Sequence, residues 1–574
     1  MSISGFFHAP GLIARARAAI SRRLAKPLWR LAPLVALHAA ALAVMVVTEE
    51  GFVANLQFLL TWGVLNCFWL AVLRRPTLAA ALSLALIVAL ILLSRFKHDI
   101  TWMTVDFLDV VIIDFSTIAF LFTIYPDLLR AVIIAALLAV PLLVLLWRFD
   151  PFRVRRRAAA FGCAACFIGL TALSLAAPGN WWEVFTPANF VSKFSRSAVV
   201  AVSELVTHGF FESDAVAAGG PALGHDGVCE PTTKLPHIIL IHDESAFDIR
   251  AVSGIKVPEG YGPHFRSFDG KARKLLVESY GGASWYAEFN ALTGLSSRSF
   301  GRFAWFLPRM AAGRIERGLP LALRRCGYRT FSFYPASSAF MSAKNFQMST
   351  GIEKFYDSRD MGTKNVEPDS FYYNAAARIM RADEGKGPMF GFVYLAANHF
   401  PFERNRGPEF LPGWRDPGNT PEVDEYLRRQ ARSVVDYAEF RERLRREFPG
   451  EPFLLVRYGD HQPAFPTNIM DPEMDEADLA LQMKAFDPRY FTTYYALDTI
   501  NYTPPDLATA LDTLDAPYLP LAILEAVGVP LDVSFAEQKK IFTRCGGIFY
   551  ACGAGAEARR FNRLLIDAGL IKGL

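Results

Sequence analysis

The first third of the chain consists of long apolar runs, whereas the rest alternates short apolar runs with polar and charged residues. Runs of about 20 apolar residues are long enough to cross a bilayer as helices. Five such runs predict membrane spans, at residues 31–48, 53–73, 77–94, 131–147 and 158–176. The pattern therefore predicts a five-helix transmembrane domain over residues 31–176, followed by a globular region.

The basic residues predict how these spans are oriented. They cluster before the first span, after the second, and between the fourth and fifth: Arg15, Arg17, Arg22, Arg23, Lys26 and Arg30; Arg74 and Arg75; Arg148, Arg153, Arg155, Arg156 and Arg157. The positive-inside rule places all three clusters in the cytoplasm. Because the number of crossings is odd, the globular region is expected outside, in the periplasm or at the outer surface of a bacterium. We therefore predict a multi-pass protein of the bacterial inner (plasma) membrane.

Two flanking segments differ from the spans. Residues 1–30 place basic and apolar positions at helical spacing, which fits either a helix on the cytoplasmic lipid surface or a solvated basic flank. Residues 95–130 are apolar but contain five aspartates, Asp99, Asp106, Asp109, Asp114 and Asp127. Ionised groups are costly inside a bilayer, so we interpret this segment as external interfacial helices. A sixth span here is the alternative, but it would place the globular region in the cytosol and the basic loop 148–157 outside.

The globular region predicts an α/β domain. Residues 177–234 form a connector with a polar helix near 191–209 and a stretch rich in Gly, Ala and Pro. From residue 235 onward, short β-rich runs at 237–241, 330–334, 389–394 and 453–456 alternate with helical segments. Apolar strands in such an alternation are typical of a mostly parallel central sheet covered on both faces. We therefore predict one α/β domain over residues 235–574.

Four cysteines lie in the predicted outer region, namely Cys229, Cys326, Cys545 and Cys552. An even number in an exported domain permits disulfides. Cys545 with Cys552 is the first pairing we expect, although sequence leaves the connectivity open.

Acidic and imidazole side chains follow two of the predicted strands. Asp243 and Glu244 come after the strand that ends at Ile241, and Asp460 and His461 come after the strand that ends near Arg457. Ligand crevices of open α/β sheets lie at the carboxyl ends of strands. Carboxylates with imidazole suit a divalent cation such as Mn, Zn or Mg, although each pair alone also fits a hydrogen-bonded loop.

Ser284 follows two glycines and opens a predicted helix over residues 285–295. A helix N-terminus favours an anion, either an alkoxide or a bound phosphate. A metal ion on the same oxygen would make Ser284 a nucleophile. The structural alternative is that Ser284 is simply the N-cap of its helix.

Four further residues complete the candidate site. His399 follows the strand at 389–394 and could protonate a leaving oxygen or hold a phosphate, although His-Phe-Pro also fits a structural turn. Arg298, Lys344 and Arg457 are candidates to neutralise a phosphoryl group, with surface solvation as the alternative for each.

The motifs together resemble a known family. The order strand-Glu244, Gly281-Gly-Ala-Ser284-x-x-x-Glu-Phe289, Asn398-His-Phe-Pro401 and Tyr458-Gly-Asp-His461 is similar to the sulfatase-like branch of the alkaline phosphatase superfamily. Within that branch it resembles the membrane-anchored lipoteichoic acid synthases and phosphoglycerol transferases, over roughly residues 235–530 and more loosely over the membrane anchor. The resemblance implies a sulfatase-like fold for the outer domain.

It also implies roles for individual residues. Glu244, Ser284, Asp460 and His461 would bind one Mn or Zn ion, Ser284 would be the nucleophile, and His399 would bind substrate or act as acid and base. The implied reaction moves a phospholipid head group to an acceptor through a phosphodiester on Ser284. The implied partners are a phospholipid donor, a periplasmic or cell-surface glycan acceptor and the membrane. No nucleic-acid partner is expected.

Two departures from the family pattern qualify this prediction. Lipoteichoic acid synthases and phosphoethanolamine transferases usually have threonine where this chain has Ser284, a substitution that keeps the hydroxyl. The proline that sulfatases need for formylglycine formation is absent after both Ser284 and Ser296, which disfavours sulfate-ester hydrolysis. The motif around Ser284 favours phosphoglycerol over phosphoethanolamine as the head group. A hydrolase of the same fold and a non-catalytic membrane sensor or assembly protein are the alternatives.

Overall fold

Apolar helices form the N-terminal part of the protein, as the hydrophobic pattern predicts. The computed structural model describes residues 31–572 apart from 102, 114, 180, 208, 218–222, 225–228, 231–233, 403–410, 412, 464, 466–468 and 472. The predicted basic segment 1–30 lies outside the described residues. The helices before the sheet are α1 Ala32–Thr48, α2 Phe52–Leu73, α3 Pro76–Thr101, α4 Phe107–Ile112, α5 Phe115–Ile124, α6 Pro126–Phe149, α7 Arg156–Ala176 and α8 Phe190–Thr207.

Four of these helices are long and apolar enough to cross a membrane, namely α2, α3, α6 and α7. The fifth predicted span corresponds to α1, which has 17 residues. The five-span count therefore stays a prediction. In the segment 95–130, α4 and α5 have 6 and 10 residues, too few to cross a hydrocarbon core. None of the α6 side chains is buried, as expected for a helix that faces lipid.

An eight-stranded mixed sheet forms the centre of the globular region. Its strands are β1 His237–Asp243, β2 Arg273–Leu276, β3 Arg329–Phe333, β4 Lys354–Tyr356, β5 Met389–Tyr394, β6 Phe453–Gly459, β7 Thr492–Ile500 and β8 Thr513–Asp515. They are ordered β4-β3-β5-β1-β6-β7-β2-β8. The pairs from β4 to β6 are parallel, β7 is antiparallel to both of its neighbours, and β2 pairs in parallel with β8.

Both faces of the sheet are covered, which explains the nearly continuous apolar strands. Ile238 and Leu240 of β1 belong to one buried cluster, and Ile239 and Ile241 belong to another on the opposite face. Side chains alternate between faces along a strand, so every residue of β1 is buried. The helices of the globular region are α9 Trp285–Thr293, α10 Leu307–Ala311, α11 Leu319–Arg325, α12 Ala343–Ser349, α13 Ser358–Met361, α14 Asp369–Arg381, α15 Pro421–Glu447, α16 Glu476–Ala485, α17 Pro488–Phe491, α18 Leu519–Val527, α19 Val533–Cys545 and α20 Ala556–Asp567.

Two disulfides close the globular region. Cys545 pairs with Cys552, as expected, and Cys229 pairs with Cys326 across 97 residues of sequence. The second bond fastens the connector ahead of β1 to the end of α11. Cys67, Cys163 and Cys166, on α2 and α7, are free thiols.

Candidate active site

Two neighbouring strands bring the acidic and imidazole residues together. β1 and β6 are parallel, with His242 opposite Tyr458 and Asp243 opposite Gly459. Glu244 and Asp460 therefore leave the sheet at the same edge, the carboxyl edge where ligand crevices lie. Both carboxylates are buried, at 2% and 0% relative exposure.

Gly459 is required by the close approach of the loop after β1. A Cβ atom at this position would lie 1.8 Å from the carbonyl oxygen of Ala246, far inside van der Waals contact. The glycine of the Tyr-Gly-Asp-His motif therefore lets the two strand ends come close enough for Asp460 to reach the loop. Asp460 Oδ1 accepts hydrogen bonds from the backbone N–H groups of Ser245, at 2.7 Å, and His461, at 2.8 Å.

Ser284 joins this cluster from the other side of the crevice. It occupies the N-cap position of α9, but its side chain makes no capping hydrogen bond. Instead Oγ donates to Glu244 Oε2 at 3.1 Å and lies 3.1 Å from His461 Nε2. The N-cap alternative therefore does not describe what this hydroxyl does. Gly281, with φ of +67°, belongs to the turn that delivers it.

The four residues present a donor set that fits a divalent metal ion. His461 Nε2 lies 3.6 Å from Glu244 Oε1 and 3.4 Å from Asp460 Oδ2, so nitrogen, carboxylate and hydroxyl donors converge on one point. His461 Nδ1 lies 2.9 Å from the Gln462 carbonyl, to which it donates, so the Nε2 lone pair faces the cluster. Borderline cations such as Zn and Mn accept this mixture of ligands.

The pKa values of the two carboxyl groups differ in direction. Burial raises the pKa of Glu244 well above its ordinary value, and the nearby Asp460 charge adds to this effect. Burial opposes ionisation of Asp460 as well, but the neighbouring His461 and His242 outweigh it and lower its pKa. The two neighbouring carboxylates repel each other when both are ionised, and a bound cation would relieve that repulsion.

His242 is a residue of the site that the sequence analysis did not single out. Its Nε2 lies 3.2 Å from Asp460 Oδ2, its Nδ1 lies 2.7 Å from the Tyr458 hydroxyl, and its ring stacks on Tyr394 at 3.8 Å. Burial lowers its pKa, which favours the neutral ring. With Glu244 and Asp460 it forms the group of potential ligands that lie within 4.8 Å of one another. Strand alternation in the sequence could have identified His242, because it lies on the same face of β1 as Leu240 and two residues before Glu244.

Glu288 belongs to the same motif as Ser284 and lies one helical turn after it on α9. It is buried at 1% exposure, and Gln347 Nε2 donates to it at 2.8 Å. Burial raises the pKa of Glu288 to about 8, and the Gln347 bond offsets only part of this effect. It is therefore a neutral acid over much of the physiological range.

His399 lies on the loop after β5, half-buried, with Nδ1 at 2.8 Å from the Phe400 carbonyl. Because the carbonyl oxygen can only accept, Nδ1 carries the proton of this bond, and Nε2 is the ring nitrogen that can exchange a proton with a substrate. Arg429 of α15 donates to the carbonyl oxygens of His399 and Pro401, at 2.8 and 2.9 Å, and so fixes the loop. Asn398 of the same motif is buried and donates to the Ser245 carbonyl at 3.4 Å, next to the carboxylate cluster.

The three cations expected to bind substrate are not gathered at one place. The Arg298 guanidinium stacks between Phe486 and Tyr550, at 3.6 and 4.3 Å from the ring centroids. Lys344 is exposed on the first turn of α12.

Arg457 is buried at 2% exposure, on the sheet face opposite Tyr458 and His242. Its Nη2 lies 3.1 Å from Asp498 Oδ2, and its guanidinium stacks on Tyr437. The structure therefore places Arg457 inside the protein, away from the crevice, because adjacent residues of a strand point to opposite faces. Its contacts are those of a buried structural ion pair.

Part of the chain is similar to known proteins. Residues 237–482 match the family model described as Sulfatase, which confirms the resemblance drawn from the motifs. The matched residues follow the N-terminal apolar helices and make up less than half of the chain. A Haemophilus influenzae protein described as uncharacterized is 23% identical over 226 residues, which are 36% of this chain and 40% of that relative. The matched region is thus less than half of either protein.

The chain also shows similarity to solved structures. The phosphoglycerol transferase GacH of Streptococcus pyogenes, in complex with sn-glycerol-1-phosphate, is 17% identical with a TM-score of 0.46, over 60% of this chain and 89% of that one. The integral membrane lipooligosaccharide phosphoethanolamine transferase A of Neisseria meningitidis is 11% identical with a TM-score of 0.42, over 83% of this chain and 95% of that one.

Proposed function

We propose that this protein transfers a phospholipid head group, phosphoglycerol in preference to phosphoethanolamine, to a periplasmic or cell-surface glycan. The observation that carries the proposal is the position of the Ser284 hydroxyl at the start of α9, 3.1 Å from both Glu244 and His461. A hydroxyl at a helix N-terminus and among metal-type ligands is the arrangement expected of an activated nucleophile.

The first step forms a bond from Ser284 Oγ to the donor phosphorus and breaks the bond from phosphorus to the glyceride oxygen. Diacylglycerol leaves with one proton, which we assign to His399. The proton of Ser284 passes to the nearest carboxylate, Glu244 Oε2. In the second step an acceptor hydroxyl loses its proton to His399 and attacks phosphorus, and the bond to Ser284 breaks. Glu244 returns its proton to Ser284 Oγ, which restores the hydroxyl.

We assign one divalent metal ion, Mn or Zn, to Glu244, Ser284, Asp460 and His461. When bound, such an ion lowers the pKa of a coordinated hydroxyl and balances the charge of a phosphoryl group. His242 orients Asp460 from behind, and Gln462 orients His461. Lys344 is retained as a substrate-binding candidate because it is exposed on the first turn of α12.

The membrane anchor supports a lipid donor over a soluble one. Apolar helices fix the domain at the bilayer, where a lipid head group is available without extraction of its acyl chains. Five spans, with the basic loops inside, would place residues 235–574 in the periplasm of a bacterial inner-membrane protein. The two disulfides fit an oxidising compartment.

The test is intact-mass and lipid analysis of purified protein incubated with phosphatidylglycerol or phosphatidylethanolamine and Mn or Zn. We expect a mass increase equal to one head-group phosphate, equimolar diacylglycerol, and neither product from Ser284→Ala. The mass of the adduct identifies the head group. Free head group without transfer to added glycan would indicate the hydrolase alternative. No adduct and no diacylglycerol with either lipid and metal would contradict the proposal.

A further inference from the structure

Chains of aromatic contacts link the C-terminal end of α3 to two parts of the candidate site. Phe96 and Lys97 are consecutive residues near the end of α3, which is a candidate membrane span. The contacts of Lys97 extend to the helix that carries Ser284, and the contacts of Phe96 extend to the loop that carries His399.

The first contact path begins at Lys97. Its Nζ lies 4.3 Å from the centroid of the Trp305 ring, and Trp305 packs edge-to-face on Trp285 at 5.0 Å. Trp285 is the first residue of α9 and follows Ser284 directly. Asp109 of α4 holds the same Nζ at 2.7 Å, so this lysine is fixed between the interfacial segment and the globular domain.

The second contact path begins at Phe96. Its ring packs edge-to-face on Tyr125 at 5.1 Å, and Tyr125 lies 6.2 Å from Phe400. Phe400 in turn contacts the His399 ring at 4.2 Å. Tyr125 immediately precedes α6, another candidate span, so this path joins two membrane helices to the His399 loop.

We propose that Phe96 and Tyr125 are positioning residues that hold the His399 loop at the membrane surface for a donor that stays in the bilayer. The inference rests on the proposed function, because it concerns how that site meets its lipid. A phospholipid keeps its phosphorus at head-group depth, since each methylene drawn into water costs free energy. His399 must then be held at that depth and orientation, and a misplacement of about 1 Å lowers a rate about 100-fold.

Arg429 also holds the His399 loop, and it serves as a comparison for Tyr125. Arg429 binds the carbonyl oxygens of His399 and Pro401 from the globular side, and Glu425 holds its guanidinium at 2.6 Å. Arg429 therefore sets the shape of the loop, whereas Tyr125 sets its place relative to the membrane. Loss of Arg429 should affect every donor, and loss of the Tyr125 ring should affect only a donor in the bilayer.

The experiment uses the full-length protein in vesicles of phosphatidylglycerol and phosphatidylethanolamine. Turnover of the vesicle lipid is compared with turnover of a water-soluble nitrophenyl phosphodiester. For Tyr125→Ala and Phe96→Ala we expect a loss of 10- to 100-fold in kcat on the vesicle donor and a change below about two-fold on the soluble one. Tyr125→Phe keeps the ring and should match wild type on both, and Arg429→Leu should lower both rates.

A separate measurement tests the placement without activity. In a protein whose free cysteines Cys67, Cys163 and Cys166 are replaced by serine, cysteines introduced as Tyr125→Cys and Phe400→Cys in native membranes should be joined by a short bifunctional maleimide, whereas either introduced cysteine alone should form no crosslink. The proposal is overturned if Tyr125→Ala lowers both rates equally, if it lowers neither, or if the pair does not crosslink. If the cysteine pair crosslinks but the protein without the introduced cysteines turns over neither donor, the placement is supported and the proposed function is refuted.

Discussion

The Oγ atom of Ser284 lies 3.1 Å from Nε2 of His461, although 177 residues separate the two in the chain. The same Oγ donates to Glu244 at the same distance, so the hydroxyl is the point where α9, β1 and β6 meet. Its chemistry depends on the oxygen and not on the size of the side chain.

Ser284→Thr should therefore retain head-group transfer, whereas Ser284→Ala should lose at least about 10³-fold in rate. The measurement is diacylglycerol release from phosphatidylglycerol vesicles at saturating metal. Far-ultraviolet circular dichroism of both variants controls for folding. Equal activity of the alanine variant would show that Ser284 is not the nucleophile.

The metal assignment predicts different effects for two neighbouring acids. Glu244 points into the Ser284 cluster, whereas the Asp243 carboxylate, on the other face of β1, accepts from the Tyr494 hydroxyl at 2.5 Å. Glu244→Gln should lower bound Mn or Zn from about one equivalent to a small fraction, because one anionic ligand is lost. Asp243→Asn should leave the metal content unchanged. The content is measured by elemental mass spectrometry after chelation and metal return. Equal metal loss in both variants would contradict the assignment.

The sequence predicted the parts of the fold and site that depend on local pattern. The strands β1, β3, β5 and β6 coincide with the predicted runs to within a few residues, and all four motifs lie at strand or helix ends. Four strands were not predicted: β2, β4 and β8 are only three or four residues long, and β7 begins directly after a helix. The antiparallel β7 makes the sheet mixed, which local pattern does not reveal.

Alternation along the strands explains the largest difference at the site. Arg457 was a candidate to neutralise a phosphoryl group, but β6 continues to Gly459 and turns Arg457 to the opposite face. The same alternation places His242 beside Asp460. Neither placement follows from composition or spacing without the strand boundary and its register with β1.

Arg457 should contribute to stability more than to substrate affinity. Arg457→Leu removes the ion pair at 3.1 Å and leaves the buried Asp498 carboxylate with the Tyr437 hydroxyl and the more distant Arg441, so the loss should be at most about 3–5 kcal/mol. Chemical unfolding should show this loss, and the double variant with Asp498→Asn should recover part of it. Lys344→Ala, on the exposed first turn of α12, should leave the unfolding free energy unchanged. An Arg457 variant of unchanged stability but raised KM would restore the substrate-binding role.

The two disulfides should contribute unequally to stability. A crosslink limits the unfolded chain more when it closes a longer loop, and the sequence separations are 97 and 7 residues. Replacement of Cys229 and Cys326 by serine should cost about 4.7 kcal/mol, and replacement of Cys545 and Cys552 about 2.4 kcal/mol. Chemical unfolding in detergent compares the two pairs with wild type under oxidising conditions. Under reducing conditions the differences should disappear, and a larger loss from the short loop would contradict the argument.

Glu288 should make the stability of the domain depend on pH. Burial raises the pKa of Glu288 from 4.5 to about 8, so between these values the folded protein holds a proton that the unfolded chain releases. The contribution of this group to stability is therefore complete below about pH 4.5 and is lost as pH rises toward 8, by up to about 1.4 kcal/mol per pH unit. Glu288→Gln keeps the shape and the neutral state, so its unfolding free energy should lack this slope. The measurement is the unfolding free energy of both proteins from pH 5 to 9. The variant should become more stable relative to wild type as pH rises. A difference that is constant over this range would mean that Glu288 titrates normally.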